Sequence, residues 1–141
     1  TTEDSSVRLQ YIDEARFLRA YYYYLLVQHF GGVSLTTTMF TTAEMNHKRE
    51  SAEKVYQFVI DEFSSLSSDD SHLLERSNAV GENFGRANKR AALHFLAKTY
   101  LARGYEEFAD NEDFKNAAYY AELAIAGEEP TISFEDVFSE P

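Results

Sequence analysis

Apolar residues recur along this chain at steps of three and four, and strand-like alternation is nearly absent, which predicts an all-α protein. Over residues 6–30, Ile12, Ala15, Leu18, Tyr22, Leu25, Leu26 and His29 form one stripe, with Phe17, Tyr21, Tyr24 and Gln28 beside it. Two stripes predict a first helix packed on more than one side. Gly31-Gly32 should end it, since glycine accepts the left-handed C-cap conformation. Residues 33–47, rich in Thr, read as a loop that is extended around Val33 to Leu35. A second helix begins after Ser51, a plausible N-cap, although Lys54 stands where a capping box would place Glu. Val55, Phe58, Val59, Glu62, Phe63 and Leu66 make its inner face, and the Ser/Asp-rich stretch 64–70 stops it. Leu73 and Leu74 fall in a short turn or linker before Gly81.

Arg86 opens a third helix, with Ala87, Ala91, Leu93, Ala97, Tyr100 and Leu101 at helical spacing and Gly104 as terminator. A fourth runs from about Asp113, with Phe114, Ala117, Ala118, Ala121, Ala124 and Ile125 inward, and Gly127 and Pro130 close it. Residues 131–138 read as a further turn of helix. Leu93, Leu96, Ala97 and Tyr100 match the large, Leu, small, Tyr positions of the first helix of a tetratricopeptide pair. Ala117, Ala121 and Ala124 match the second helix after an insertion supplied by residues 105–112, although Ala121 is small for its position. A plain four-helix bundle would show similar stripes, so spacing leaves both architectures open.

The chain has 141 residues, 44% hydrophobic and 26% charged, within the globular range for a single domain. No cysteine is present, which rules out disulfides and thiolate zinc sites, and no apolar run is long enough to cross a membrane as a helix. The first residues are polar and lack an initiating Met, as expected of a mature form or an excised segment. Charge is uneven: from Gly104 onward eleven acidic residues face Lys115 alone, so −10 of the net −11 lies in the last quarter. With no basic stripe to offset this, nucleic acid is not an expected partner. The 10 Tyr and 11 Phe suit protein or sugar contacts, but their first use in a helical protein is to fill helix interfaces.

Searching for chemistry yields no catalytic, cofactor or metal residue. No zinc-protease, nucleophile-elbow, Walker or dinucleotide motif occurs, so the chain is not expected to be an enzyme or to need a cofactor. A glycosidase would need a pair of carboxylates in a cleft, and no such pair can be named. His29, His47, His72 and His94 stand 18, 25 and 22 residues apart, and read as packed (His29, His94) or in loops (His47, His72). Asp110-Asn111-Glu112-Asp113 resembles the start of a calcium loop but has Lys115 in place of its Gly and Ala121 in place of its final Glu. It reads instead as a solvated loop whose acids favour the N-terminus of the fourth helix, and Asp69-Asp70 as a solvated turn.

Glu14-Ala15-Arg16-Phe17-Leu18-Arg19-Ala20-Tyr21-Tyr22-Tyr23-Tyr24-Leu25-Leu26, followed by Phe30-Gly31-Gly32-Val33-Ser34-Leu35, resembles the signature helix of the SusD/RagB family. These are the starch-utilisation-system nutrient-binding lipoproteins of Bacteroidetes outer membranes. Residues 49–63 resemble a second family block. Gly85-Arg86-Ala87-Asn88-Lys89 with Ala91-Ala92 and Leu96-Ala97-Lys98-Thr99-Tyr100-Leu101 resembles a third, and residues 131–138 a fourth, all in family order. Ser34 stands where Pro is usual and Glu62-Phe63 where Asp-Leu is usual. Family members are several times longer and carry an N-terminal lipidation Cys that this sequence lacks.

The resemblance implies a single truncated domain over 1–141, with tetratricopeptide-like helix pairs at 6–66 and 86–127 and the start of a further segment at 131–141. It implies non-enzymatic capture: a surface-exposed, lipid-anchored outer-membrane protein that binds a glycan and serves as lid to a SusC-like TonB-dependent transporter. This chain would be its soluble helical scaffold, with the ligand held by parts of the parent mostly outside it. Ligand-binding residues are therefore unknown, and Tyr21 to Tyr24 read as core, with at most one or two able to face a ligand. The alternative is a free-standing tetratricopeptide-type interaction module that binds peptides, for which three or more helix pairs would be expected. Truncation should leave apolar surface near Val137 and Phe138 and on the first helix. Burying one Phe is worth about 1.5–3 kcal/mol, so self-association at high concentration is expected in sedimentation experiments, and a strict monomer would contradict the exposed face.

Overall fold

The computed structural model describes residues 2–39, 47–76 and 83–127, arranged as four helices: α1 (Thr2–Phe30), α2 (Ala52–Ser67), α3 (Lys89–Arg103) and α4 (Asp113–Ile125). Among the described residues the only extended pairing is one bridge between Leu74 and Asn88. The protein is all-α and built of tetratricopeptide-like hairpins: α1 packs on α2, α2 on α3 and α3 on α4, while α1 touches α3 lightly. The segment 131–141, together with Gly81 and Pro130, lies outside the described residues.

The main core joins the first three helices through Phe17, Ala20, Tyr24, Val59, Ile60, Phe63, Leu66, Ala92 and Leu96. Ring edges meet ring faces here, the arrangement aromatic quadrupoles favour. Phe17 lies 5.4 Å from Phe63 and 6.0 Å from Phe95, and Phe95 stacks on Phe63 at 5.7 Å. A second cluster of Val27, Val55 and Tyr56 closes the far end, with Phe108 from the α3–α4 connection against it. Leu73, read as part of a linker, is a core residue. The adjoining Leu74 carbonyl accepts the Lys89 N–H, so this connection is pinned to the start of α3.

Helix ends follow the sequence closely in three places. Ser51 caps α2 by accepting the Lys54 N–H, Gly31 leaves α1 with φ of 66°, and Gly127 leaves α4 with φ of 74°. One end differs. α3 begins at Lys89 rather than Arg86, because the Asn88 side chain accepts the Ala91 N–H and so fixes the cap three residues later. Gly104 ends α3 as expected, in an ordinary right-handed conformation, and its missing side chain makes room for the Phe114 ring, 2.9 Å from where a Cβ would stand.

The inner faces need larger corrections. The buried line of α1 is Asp13, Phe17, Ala20, Tyr24 and Val27, opposite the stripe expected to lead the packing. Ile12, Leu18, Tyr22 and Leu26 are exposed, Tyr22 by 61%, and so are Ala15 and His29. Apolar residues surround this helix, but α2 and α3 cover only one side of it, and Gln28 is exposed. On α2, Tyr56 and Ile60 join the inner face while Glu62 serves as an ion-pair acceptor. α4 buries only Asp113 and Ala117, leaving Phe114, Ala118, Ala121 and Ile125 exposed.

The α1–α2 connection returns tightly onto α1. Arg49 donates to the Gly32 and Phe30 carbonyls, and the Glu50 N–H donates to Val33 O. A Cβ on Gly32 would lie 2.1 Å from the Glu50 carbonyl oxygen, whereas one on Gly31 would meet nothing. Two substitutions separate these constraints. Gly31→Ala should cost about 1–2 kcal/mol from the left-handed backbone alone, and Gly32→Ala more, because backbone must move. Urea unfolding of both variants checks the order.

Candidate functional site

Charged side chains gather at two inter-helix junctions. At the first, Asp13 accepts from the His72 N–H at 2.9 Å and from Arg16 at 3.1 Å. Arg16 also donates to Glu62 Oε1 at 3.2 Å, and Arg19 reaches Glu62 Oε2 at 2.9 Å. Burial alone would raise the Asp13 pKa, but the His72 amide and the Arg16 guanidinium outweigh it and hold the carboxyl below its usual range. Arg16 itself is pushed up, with Glu62 and Asp13 outweighing its own burial. Nearby, Arg86 grips Glu14 at 2.8 and 2.9 Å and lies over the Tyr11 ring.

The second junction holds α4. Asp113 is fully buried and takes Arg103 in a bidentate pair, Nε at 3.0 and 3.1 Å and an Nη at 2.5 Å. It also accepts the Asp110 N–H, while Arg103 donates to Gln57 and lies over Tyr100. The acidic stretch 110–113 is thus solvated only in part, since its last carboxylate serves α3 rather than water. This is the largest site feature that sequence reasoning missed. Its signal was present as Arg103 ten residues before Asp113, but ten-residue spacing across an insertion says nothing until the turn is known. Beside it, burial and Glu106 push the Tyr56 hydroxyl up to about 12, and burial raises Tyr100.

Three tyrosines of the run 21–24 are packed. Tyr21 and Tyr24 meet Phe95 at 5.0 and 5.8 Å. Tyr23 packs on Phe58, and its hydroxyl donates to Ser34 O and accepts the Thr36 N–H, bracing the loop. Tyr22 points outward in line with Tyr11, Ile12, Leu18 and Leu26. His47 and His72 are exposed as loop residues, but His29 and His94 are exposed rather than packed: α2 and α3 leave the His29 face of α1 uncovered, and His94 lies at the open groove between α3 and α4. Among the described residues no group of three or more acidic or imidazole side chains could hold a metal ion, and no helix is long and apolar enough to cross a membrane. Among the described residues, a groove of about 370 Å³ lies between α3 and α4, with Ala97, Ala117 and Ala121 along it and Leu101 and Phe114 at one end.

The architecture matches one known class of protein. The family model described as "Starch-binding associating with outer membrane" (SusD-like) matches residues 2–101, and the chain belongs to this family. A SusD homolog from Bacteroides thetaiotaomicron is 28% identical with a TM-score of 0.78, over 94% of this chain and 25% of that one. A SusD-like carbohydrate-binding protein from Bacteroides fragilis is 29% identical with a TM-score of 0.70, over 85% of this chain and 21% of the other. A structure described as being with a xylogluco-oligosaccharide is 28% identical with a TM-score of 0.74, over 94% and 27%. The chain therefore spans about a quarter of the length of these structures. No curated protein matches it.

Both junctions have measurable consequences. Removing one partner of a buried pair strands the other, so Asp113→Asn should lower unfolding free energy by about 3–5 kcal/mol, whereas Glu112→Gln, at an exposed pair with Lys115, should change it little. Because the Asp13 carboxyl is held below its usual pKa, its contribution is present at neutral pH. It fades as pH falls through the usual carboxylate range, near 4, and below. The stability gap between wild type and Asp13→Asn should accordingly shrink from pH 7 to pH 3 in urea titrations.

Proposed function

We propose that this chain is the helical scaffold of a non-enzymatic glycan-binding protein of the bacterial outer membrane, acting as the lid partner of a TonB-dependent transporter. The observation that carries the reading is the family match across residues 2–101 together with its superposition on SusD homologues. Two of the similar structures are described as carbohydrate-binding or as holding an oligosaccharide, which supports a glycan as the ligand. The use of side chains in this chain agrees with a scaffold: Arg16, Arg19, Arg103, Asp13, Glu62 and Asp113 are spent joining helices. Residues 6–66 and 86–127 act as two hairpin units, with 131–141 beginning a further segment, and the glycan is held by the remainder of a longer protein. The anchoring to the outer membrane belongs to that longer protein as well.

The acidic connection between α3 and α4 is a surface through which such a scaffold can meet its transporter. Glu107 is exposed there, while Glu106 accepts from Tyr56 and Glu112 from Lys115. Replacing Glu106, Glu107, Asp110 and Glu112 by Lys in the full-length protein should abolish co-purification with the transporter from solubilised membranes while oligosaccharide binding in calorimetry persists. Unchanged co-purification would remove this surface from the contact. Release of reducing ends from a glycan would overturn the non-enzymatic reading.

A further inference from the structure

We propose that the outward face of α1 is a seam on which a second copy of this chain docks, antiparallel, to form a symmetric dimer. The face lies opposite the buried line of Asp13, Phe17, Ala20, Tyr24 and Val27, and among the described residues α2 and α3 both meet α1 on that buried side. Tyr11, Ala15, Leu18, Tyr22, Leu25 and His29 run along the outward face at steps of four, three, four, three and four. That alternation is the 3.5-residue repeat by which two helices stay in contact over several turns. Leu25 alone of the six packs against the chain's own core, and the other five are exposed. The repeat is therefore left without a partner inside the described residues.

Charge and shape name the occupant. The chain carries a net charge of −11, yet the six seam residues include no Asp, Glu, Lys or Arg. Glu14 and Arg19, which flank the seam, are engaged within the chain by Arg86 and Glu62. A second acidic copy can approach here without setting like charges together. Antiparallel pairing sets Leu18 against the partner's Tyr22, Ala15 against the partner's Leu25 and Tyr11 against the partner's His29, and each pair recurs across the two-fold axis. Large residues thereby meet smaller ones, whereas a parallel pair would crowd ring on ring at Tyr11 and Tyr22 and leave a gap at Ala15. With Val7, Ile12, Leu26 and Phe30 on its margins, the face exposes on the order of 600 Å² of apolar surface, at about 150–250 Å² for a whole ring. Two copies would hide roughly 1,200 Å², the lower edge for a specific interface, so the dimer dissociates on dilution. This contact uses none of the acidic surface assigned to the transporter, and either can fail alone.

Sedimentation equilibrium of the intact 141-residue chain tests the seam, and a monomer–dimer equilibrium without higher species is expected. Leu18→Glu places a carboxylate in the seam twice per dimer and should weaken association at least about a hundredfold. Its helical circular dichroism should not change, because Leu18 is exposed. Leu101→Glu, in the groove between α3 and α4, should leave association as it is. Since the chain has no cysteine, a spin label on Gln28→Cys reads the orientation. Antiparallel pairing puts the two labelled positions about 24 Å apart along the helix axes, at 1.5 Å per residue. Parallel helices would hold them at about the interaxial distance of 8–10 Å. Three results would each overturn the proposal: a strict monomer at millimolar concentration, a dimer that Leu101→Glu abolishes and Leu18→Glu spares, or the short label distance. The first would leave the seam to the remainder of a longer protein.

Discussion

The packing of the first three helices hangs on the ring of Phe95. It sits on α3 yet meets Phe17, Tyr21 and Tyr24 of α1 and stacks on Phe63 of α2, so one side chain fixes three helices at once. Edge-to-face contacts hold orientation as well as distance, since each ring offers a partial positive edge to a negative face. With the rings set, Ala20 and Ala92, both fully buried, let the backbones close to contact. The ion pairs of Arg16 and Arg19 with Glu62 then lie at the edge of this knot, where solvent still screens them and their role is to fix register more than to add stability.

α4 is joined by different means. It shares no part of the main core except through Tyr120, which stacks on Tyr100 at 5.6 Å, and its anchor is the buried Asp113 on Arg103. A carboxylate without exposure is costly to desolvate, and only the bidentate guanidinium and the Asp110 N–H make the site tolerable. The same region holds the charge asymmetry of the sequence, so α4 combines a thin apolar contact with an acidic surface.

The type and most ends of the four described helices were legible because they depend on local signals: spacing, Ser51, Gly31 and Gly127. Which side of α1 is buried was not legible. Phe17, Tyr24 and Val27 are no more apolar than Ile12, Leu18 and Leu26, and a helix apolar on two sides carries no record of which neighbour is present. The same holds for α4, where Phe114 and Ile125 read as core yet remain exposed. The Arg103–Asp113 pair was hidden for another reason, since its partners meet across an irregular turn. The family, by contrast, was readable from residue order alone, because the three blocks within residues 2–101, taken in sequence, are far more specific than any one side chain.

Among the described residues α4 packs on α3 and on neither α1 nor α2, so it is joined to the three-helix knot through its neighbour alone. Such an array behaves like a zipper: free energy adds by adjacent interfaces, and opening begins at whichever end has the weaker last contact. With two buried residues on α4 against five on α1, the thinner apolar contact among the described residues is that of α4. Amide protons of α4 should escape first, in a sub-global opening that leaves the three-helix aromatic knot closed. The fold thereby carries a built-in polarity, with a stable end and a yielding end, before any partner is considered.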